Sequence, residues 1–202
     1  MILQSYRKHR EFFDSRASSW FLSQKEKDRC EEILEGIKLE NKHTILDIGC
    51  GTGSLFKILR KLTSNDSIII GMDLSYKMLH TRMHENRDQC TGILQSLGEE
   101  IPLKDQTIDV LLNYCAFPHF IYKKHALGEF YRVLKSTGRL YIIHPQSIEK
   151  TNDIHLSVGE PVSDDMLPSI DGIEKILANA HFDVRNAIKK DDLFFIEAFK
   201  SF

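Results

Sequence analysis

Three glycines within five residues, in Asp47-Ile48-Gly49-Cys50-Gly51-Thr52-Gly53, join an apolar run, HTILDI, to an amphipathic one, SLFKILRKL. Glycine permits positive φ and lets a ligand reach bare backbone, so a strand that passes through such a loop into a helix makes a ligand cradle. The alternation continues with SIIIGMD, a helix near 75–85 and TGILQ. That is a βαβαβ series, which builds a parallel sheet with right-handed crossovers. A second half places TIDVLLN as a strand, 122–134 as a helix, GRLYIIH as a strand and 171–180 as a helix. It ends with FDVRNAIKK and DLFFIEAFK around a polar Lys-Lys-Asp turn, an antiparallel pair at one side of the sheet. The fold class is α/β, three-layered and doubly wound.

The length of 202 residues suits one domain with a substantial core. Residues 1–40 read as a helical arm, in which 24–39 set Ile33, Leu34, Ile37 and Leu39 near helical spacing, and 41–202 as the core. The least patterned stretch, 145–170, is too long for an ordinary connection and is expected to be a lid or binding loop. A net charge of -2 gives no field to draw the chain onto nucleic acid or an anionic membrane. Cys30, Cys50, Cys90 and Cys115 are scattered without disulfide or zinc spacing, and no segment has signal-peptide or membrane-spanning character, so a cytoplasmic protein without membrane insertion is expected.

The loop spacing is Gly-x-Gly-x-Gly with Ser54 where a dinucleotide fingerprint needs its third glycine, which disfavours a nicotinamide oxidoreductase. The second strand ends at Asp73, 26 residues after Asp47, where a carboxylate can accept both hydroxyls of a ribose. A nucleoside is implied.

ILDIGCGTG, GMDLS, EEIPLKDQTIDVLLNYCAFPHF and EFYRVLKSTGRLYIIHP together resemble the class I S-adenosylmethionine-dependent methyltransferases, in particular the ubiquinone and menaquinone C-methyltransferase-like branch that acts on small molecules. FFDSRASSWF is similar to the arm that covers the cofactor there. The resemblance implies a seven-stranded, mostly parallel sheet with an antiparallel last strand, S-adenosyl-L-methionine as cofactor and a small-molecule acceptor. It assigns Asp47 to the loop and the amino group of the methionine moiety. Gly49, Cys50, Gly51 and Gly53 approach the cofactor by backbone, Asp73 holds the ribose, and Leu74 packs on adenine. Asn113 and Tyr114, just past the fourth strand, face the methionine end. Leu97 stands where many relatives have an Asp for the adenine amino group, which leaves Gly98 backbone or Glu99 side chain to replace it.

Methyl transfer from a sulfonium needs alignment in a dry site, and a base only where the acceptor must lose a proton. The candidates are His144 and His119, near the carboxyl ends of strands five and four, with Tyr114, Cys115, His155 and Asp165 close in the same reading. Together His119, His144, His155 and Asp165 admit a base, a recognition site or a metal site, although no fixed ligand spacing favours a metal. Cys115 reads as a small buried hydrophobe and Cys50 as chosen for size. Phe12, Phe13 and Trp20 are either a cover for the cofactor or arm packing. Lys123, Lys124 and His125 read as a solvated face, Glu99 and Glu100 as loop surface, and His181 as a helix C-cap in place of glycine. A non-catalytic subunit on the same fold stays open, as does the oligomeric state, a homodimer included.

Overall fold

A computed structural model describes residues 2–81, 89 and 91–201. The chain opens with helices α1 (Ile2–Ser5), α2 (Arg7–Arg16) and α3 (Gln24–Glu35). It then alternates β1 (Thr44–Ile48), α4 (Phe56–Leu62), β2 (Ile68–Asp73), α5 (Tyr76–Thr81), β3 (Gly92–Gln95) and β4 (Ile108–Tyr114). It ends with α6 (Lys123–Val133), β5 (Leu134–His144), α7 (Ile148–Val158), α8 (Ile170–Asn179), β6 (Phe182–Lys190) and β7 (Leu193–Lys200). The far part of the helix expected near 75–85, and Cys90, lie outside the described residues.

The seven strands form one sheet in the order β3-β2-β1-β4-β5-β7-β6. β7 runs antiparallel to both β5 and β6, while the other neighbours are parallel. The doubly wound reading therefore holds, including the strand pair at 182–200. One face of the sheet packs Leu127, Phe130, Ile173 and Leu177 from α6 and α8. The other packs Ile33, Leu34, Phe56 and Leu59 from α3 and α4. Chain order reverses between β1 and β4, so the loops leaving these two strands diverge over a crevice, the usual ligand position in open α/β sheets.

Local chemistry sets the element ends. Ser23 and Glu26 form a reciprocal capping box at the start of α3, satisfying two backbone amides that the helix leaves unpaired. His181 takes φ +62° after α8, the left-handed cap the sequence assigns to it.

Three expectations are corrected. The stretch 145–170 is not a structureless lid: Ser147 caps helix α7 by accepting from Lys150 N, leaving 145–147 and 159–169 irregular. Its apolar residues Ile154, Leu156 and Val158 point outward, so no helical stripe announces it. Asn152 further pins the segment, its side chain bonding the backbone of Leu167 through both its nitrogen and its oxygen. Lys123 is not on a solvated face, because its Nζ donates to the carbonyls of Pro118 and Phe120 at 2.9 and 3.0 Å. Asn113 and Tyr114 are the last two residues of β4 and not past it.

Candidate cofactor and acceptor site

A cavity of about 390 Å³ opens over the β1 and β4 ends. The glycine loop forms its floor through Gly49, Cys50 and Gly51; Gly53, expected there, does not line the cavity and packs against the Phe56 ring, while all three glycines have positive φ, at 76°, 55° and 76°. The amides of Gly49 and Cys50 donate to Met72 O at 2.7 and 3.1 Å, which ties the loop to β2. At Gly49 the requirement is absolute, because a Cβ there would stand 2.3 Å from the Cβ of Ala116 in the β4 turn. Cys50 packs toward β2, where its Sγ and Phe56 leave room at Gly71 only for glycine, so its size is what the loop uses.

Two carboxylates flank the loop. Asp73 at the end of β2 accepts from Gly51 N through Oδ2 and from Ser75 N through Oδ1, both at 2.8 Å. Burial pushes its carboxyl up to about 6 while those backbone bonds oppose the rise. Asp47 is 1% exposed, and its Oδ2 has no hydrogen-bond partner. Burial, and then the nearby charge of Asp73, push Asp47 up to about 8. A carboxylate without a donor or cation at the wall of a cavity is an incomplete site.

The N-terminal arm closes the top. Asp14 Oδ1 accepts from Ser75 Oγ at 2.5 Å and Lys77 N at 3.2 Å, and Thr52 Oγ1 donates to Trp20 O at 3.1 Å. These bonds set Phe13 and Trp20 edge to face, ring centres 5.8 Å apart, both lining the cavity. Phe12 does not line it and packs under the Arg16 guanidinium at 3.6 Å.

At the far wall, Leu74, Met78, Leu97 and Gly98 are lining residues. Glu99, expected at the surface, is buried and also lines the cavity. Its Oε1 accepts from Tyr6 Oη at 2.5 Å and Tyr122 N at 3.2 Å, while its Oε2 is buried without a partner. Adjacent residues point apart, and here Glu99 turns inward while Glu100 stays out.

The acceptor end brings together some of the expected residues. Tyr114 lines the cavity and its hydroxyl oxygen accepts from Cys30 Sγ at 2.8 Å. Cys115 is not a buried hydrophobe: it holds φ +56° and its side chain is exposed to the cavity. Burial of the site still raises its thiol pKa, which keeps it unreactive as a nucleophile. His119 lines the cavity from a short 3-10 turn, Phe117–His119, with its ring 5.1 Å from Phe13. Its Nδ1 meets Asp165 Oδ2 at 2.7 Å. Asp165 also meets His9 Nε2, at 3.0 Å to the same oxygen and 3.2 Å to the other. Burial alone would raise Asp165, but the hydrogen bonds from His119 and His9 outweigh it and hold the carboxyl near 2.

His144 and Asn113 are placed differently from the expectation. Both are buried and neither lines the cavity. His144 lies with its ring 6.0 Å from Phe194, its Nε2 without a partner, and burial, then the neighbouring His119 and His155, lower it to about 3. A strand end points alternate residues to opposite faces, so reaching the sheet edge does not by itself reach the ligand. His155 bonds the Asp165 carbonyl through Nδ1 and stands 4.9 Å from the His119 ring. Among the described residues no three His, Cys, Asp or Glu side chains converge in a way that could hold a metal ion. His9 was missed in the sequence, where only the spacing of Tyr6, His9 and Phe13 on one helix face marks it.

A family profile described as "Methyltransferase domain" matches residues 46–142. That segment, from β1 into β5, is similar to the class I S-adenosylmethionine-dependent methyltransferases. It is 32% identical over 103 residues to a ubiquinone/menaquinone biosynthesis C-methyltransferase, UbiE, of Wigglesworthia glossinidia brevipalpis, across 49% of this chain and 41% of that protein. With UbiE of Campylobacter jejuni strain 81-176 it shares 27% over 167 residues, across 81% of this chain and 69% of that protein. Among solved structures it superposes on a SAM dependent methyltransferase of Aquifex aeolicus with a TM-score of 0.75 at 22% identity, covering 92% of this chain and 97% of that one. It superposes likewise on the chain solved with the Trm112 methyltransferase activator of Haloferax volcanii, with a TM-score of 0.79 at 19% identity over 96% and 97%.

S-adenosylmethionine is the cofactor of this methyltransferase domain, and the cavity fits it in charge. Glu26, Asp47, Asp73 and Glu99 line it, with no Lys or Arg among the described lining residues. The sulfonium and ammonium of this cofactor suit such a wall, whereas a pyrophosphate would be repelled.

Proposed function

We propose that the chain is an enzyme of one domain, residues 1–202, that transfers a methyl group from S-adenosylmethionine to a small-molecule acceptor. The observation that carries the reading is the four-carboxylate cavity with its unpartnered Asp47 oxygen. Asp47 accepts the ammonium of the methionine moiety, and Asp73 accepts the ribose hydroxyls with the lone pairs its backbone bonds leave free. Leu74, Met78 and Leu97 form the apolar wall for adenine, and the Glu99 Oε2 accepts its amino group in place of the Asp that Leu97 displaces. Gly49, Cys50, Gly51 and Gly98 give close backbone approach, and Gly53 lets the loop turn tightly over Phe56. Tyr114 closes the methionine end, with Asn113 behind it in β4.

When bound, the cofactor supplies a methyl on positively charged sulfur, which needs no activation from the protein. The chain's part is to align the acceptor and keep water out, through Phe13 and Trp20 on the arm. A small acceptor suits a crevice covered by this arm, and the net charge of -2 gives nucleic acid no attraction. No helix among the described residues is long and apolar enough to cross a membrane. Calorimetry with S-adenosylmethionine, S-adenosylhomocysteine and NAD tests the cofactor: binding of the first two alone supports the reading, and binding of NAD alone overturns it. Release of S-adenosylhomocysteine on adding acceptors then separates an enzyme from a subunit that only binds.

A further inference from the structure

Asp165 receives two histidines from different parts of the chain, His119 from the turn after β4 and His9 from α2. A buried carboxylate that receives the Nδ1 of one imidazole fixes that ring's tautomer, with hydrogen on Nδ1 and the lone pair on Nε2. The Nε2 of His119 makes no hydrogen bond among the described residues, and its ring lies on the cavity wall beside Cys115 and Phe13. The turn that carries it is itself braced, because Lys123 Nζ bonds the carbonyls on either side of His119, those of Pro118 and Phe120. A histidine held at one nitrogen, open at the other and set on a braced turn is arranged as a base. None of the residues assigned to the cofactor above needs it.

Resting on the methyltransferase reading, we propose that His119 is the general base for an uncharged acceptor whose attacking atom is a hydroxyl oxygen, with Asp165 as its positioning residue. The acceptor's O–H bond breaks and its proton goes to His119 Nε2. The oxygen's electron pair forms the bond to the methyl carbon, and the carbon–sulfur pair stays on sulfur and cancels its positive charge. The imidazolium is stabilised by Asp165 and returns the proton to water after product leaves. The surroundings select the acceptor class. The lining carboxylates Glu26, Asp47, Asp73 and Glu99 disfavour an anionic acceptor. Burial, partly offset by Asp165, lowers the His119 pKa, so that the ring is neutral and able to accept a proton near pH 7. The charged or titratable groups around it are Asp165, His9 from α2, His155 from α7, His144 from β5 and Lys123 from α6.

The test has two arms, both on the full chain after calorimetry has established S-adenosylmethionine binding; failure of that binding overturns the methyltransferase reading and not the base. In the first arm, ¹⁵N spectra of histidine-labelled protein with S-adenosylhomocysteine bound are recorded, His119 being assigned by its loss in His119→Gln. A neutral Nδ1–H tautomer at pH 7 that is lost in Asp165→Asn supports the dyad. An Nε2–H tautomer, or a doubly protonated ring, overturns it. In the second arm, neutral phenols, thiols and primary amines are supplied as acceptors and S-adenosylhomocysteine release is followed. Methylation of phenols, with kcat lower by roughly 10²–10⁴ in His119→Gln, KM little changed and the low-pH limb of the profile lost, supports the proposal. Release with thiols or amines alone, release unaffected by His119→Gln, or no release from any phenol overturns it.

Discussion

Replacing Asp47 by Asn separates stability from cofactor binding. The buried carboxyl is raised from the model-compound 3.8 to about 8, so the fold favours its protonated form. Because the folded-state pKa lies above the unfolded one, its contribution is fully present below pH ~4 and is lost as the pH rises toward 8. Each pKa unit is worth about 1.4 kcal/mol, so the carboxyl costs the ligand-free fold about 4 kcal/mol at pH 7. An amide carries no charge but brings its own polar atoms into the same unsatisfied pocket, at a cost of about 1–3 kcal/mol. The net expectation is that Asp47→Asn stabilises the ligand-free protein by on the order of 1–3 kcal/mol at pH 7, or roughly 2–12 °C in Tm for a chain of this size. At pH 5 most of the gain disappears. Thermal melts of both proteins at pH 5, 7 and 8, with and without S-adenosylmethionine, check this. The wild type gains stability from the cofactor by mass action and the variant gains little, because the ammonium has lost its counter-charge. A variant no more stable than wild type at pH 8, with no trend toward pH 5, would show that the carboxylate already has a partner. A variant that binds the cofactor normally would show that Asp47 is not the ammonium acceptor.

Three further substitutions probe the rest of the site. Asp73→Ala removes the acceptor for Gly51 N and Ser75 N and, with it, the proposed acceptor for the ribose hydroxyls, and is expected to weaken S-adenosylmethionine binding by about 1.5–3 kcal/mol in calorimetry. Gly51→Val places a branched side chain at φ +55°, a backbone strain of about 1–3 kcal/mol that should lower Tm, but the added Cβ has only Trp20 near it, at 3.7 Å, so the secondary structure should survive by circular dichroism while cofactor binding is abolished. Tyr6→Phe leaves Glu99 Oε1 and Ile121 N without the phenol that joins them, and a loss of about 1–3 kcal/mol in urea unfolding is expected, together with weaker binding of adenosine; unchanged values for both would mean that the arm does not brace Glu99.

The chain order of strands and helices was legible because periodicity and turn chemistry are local: HTILDI, SIIIGMD and TIDVLLN are buried on both faces and read as parallel strands, and the glycines mark where φ must be positive. Asp47 and Asp73 could be named for the same reason, since one is the next-to-last residue of β1 and the other the last of β2, both beside the loop. Local pattern failed where the environment is set by distant segments. Helix α7 hid within 145–170 because its outward apolar residues make no stripe, and Glu99 turned inward because Tyr6, 93 residues earlier, waits to donate to it. The acceptor end was decided almost wholly in three dimensions. His119, His155 and Asp165 were nameable as polar residues near one sheet edge, but His9 enters from an arm 156 residues before Asp165. His144, at the end of its own strand, is turned away from the cavity that its position in the sequence suggests. Backbone hydrogen bonding and side-chain period are fixed by neighbours in sequence, so the sequence alone determined the sheet and its cradle. Which imidazole meets which carboxylate depends on how the arm and the 159–169 segment pack over that sheet, and only the tertiary structure decided it.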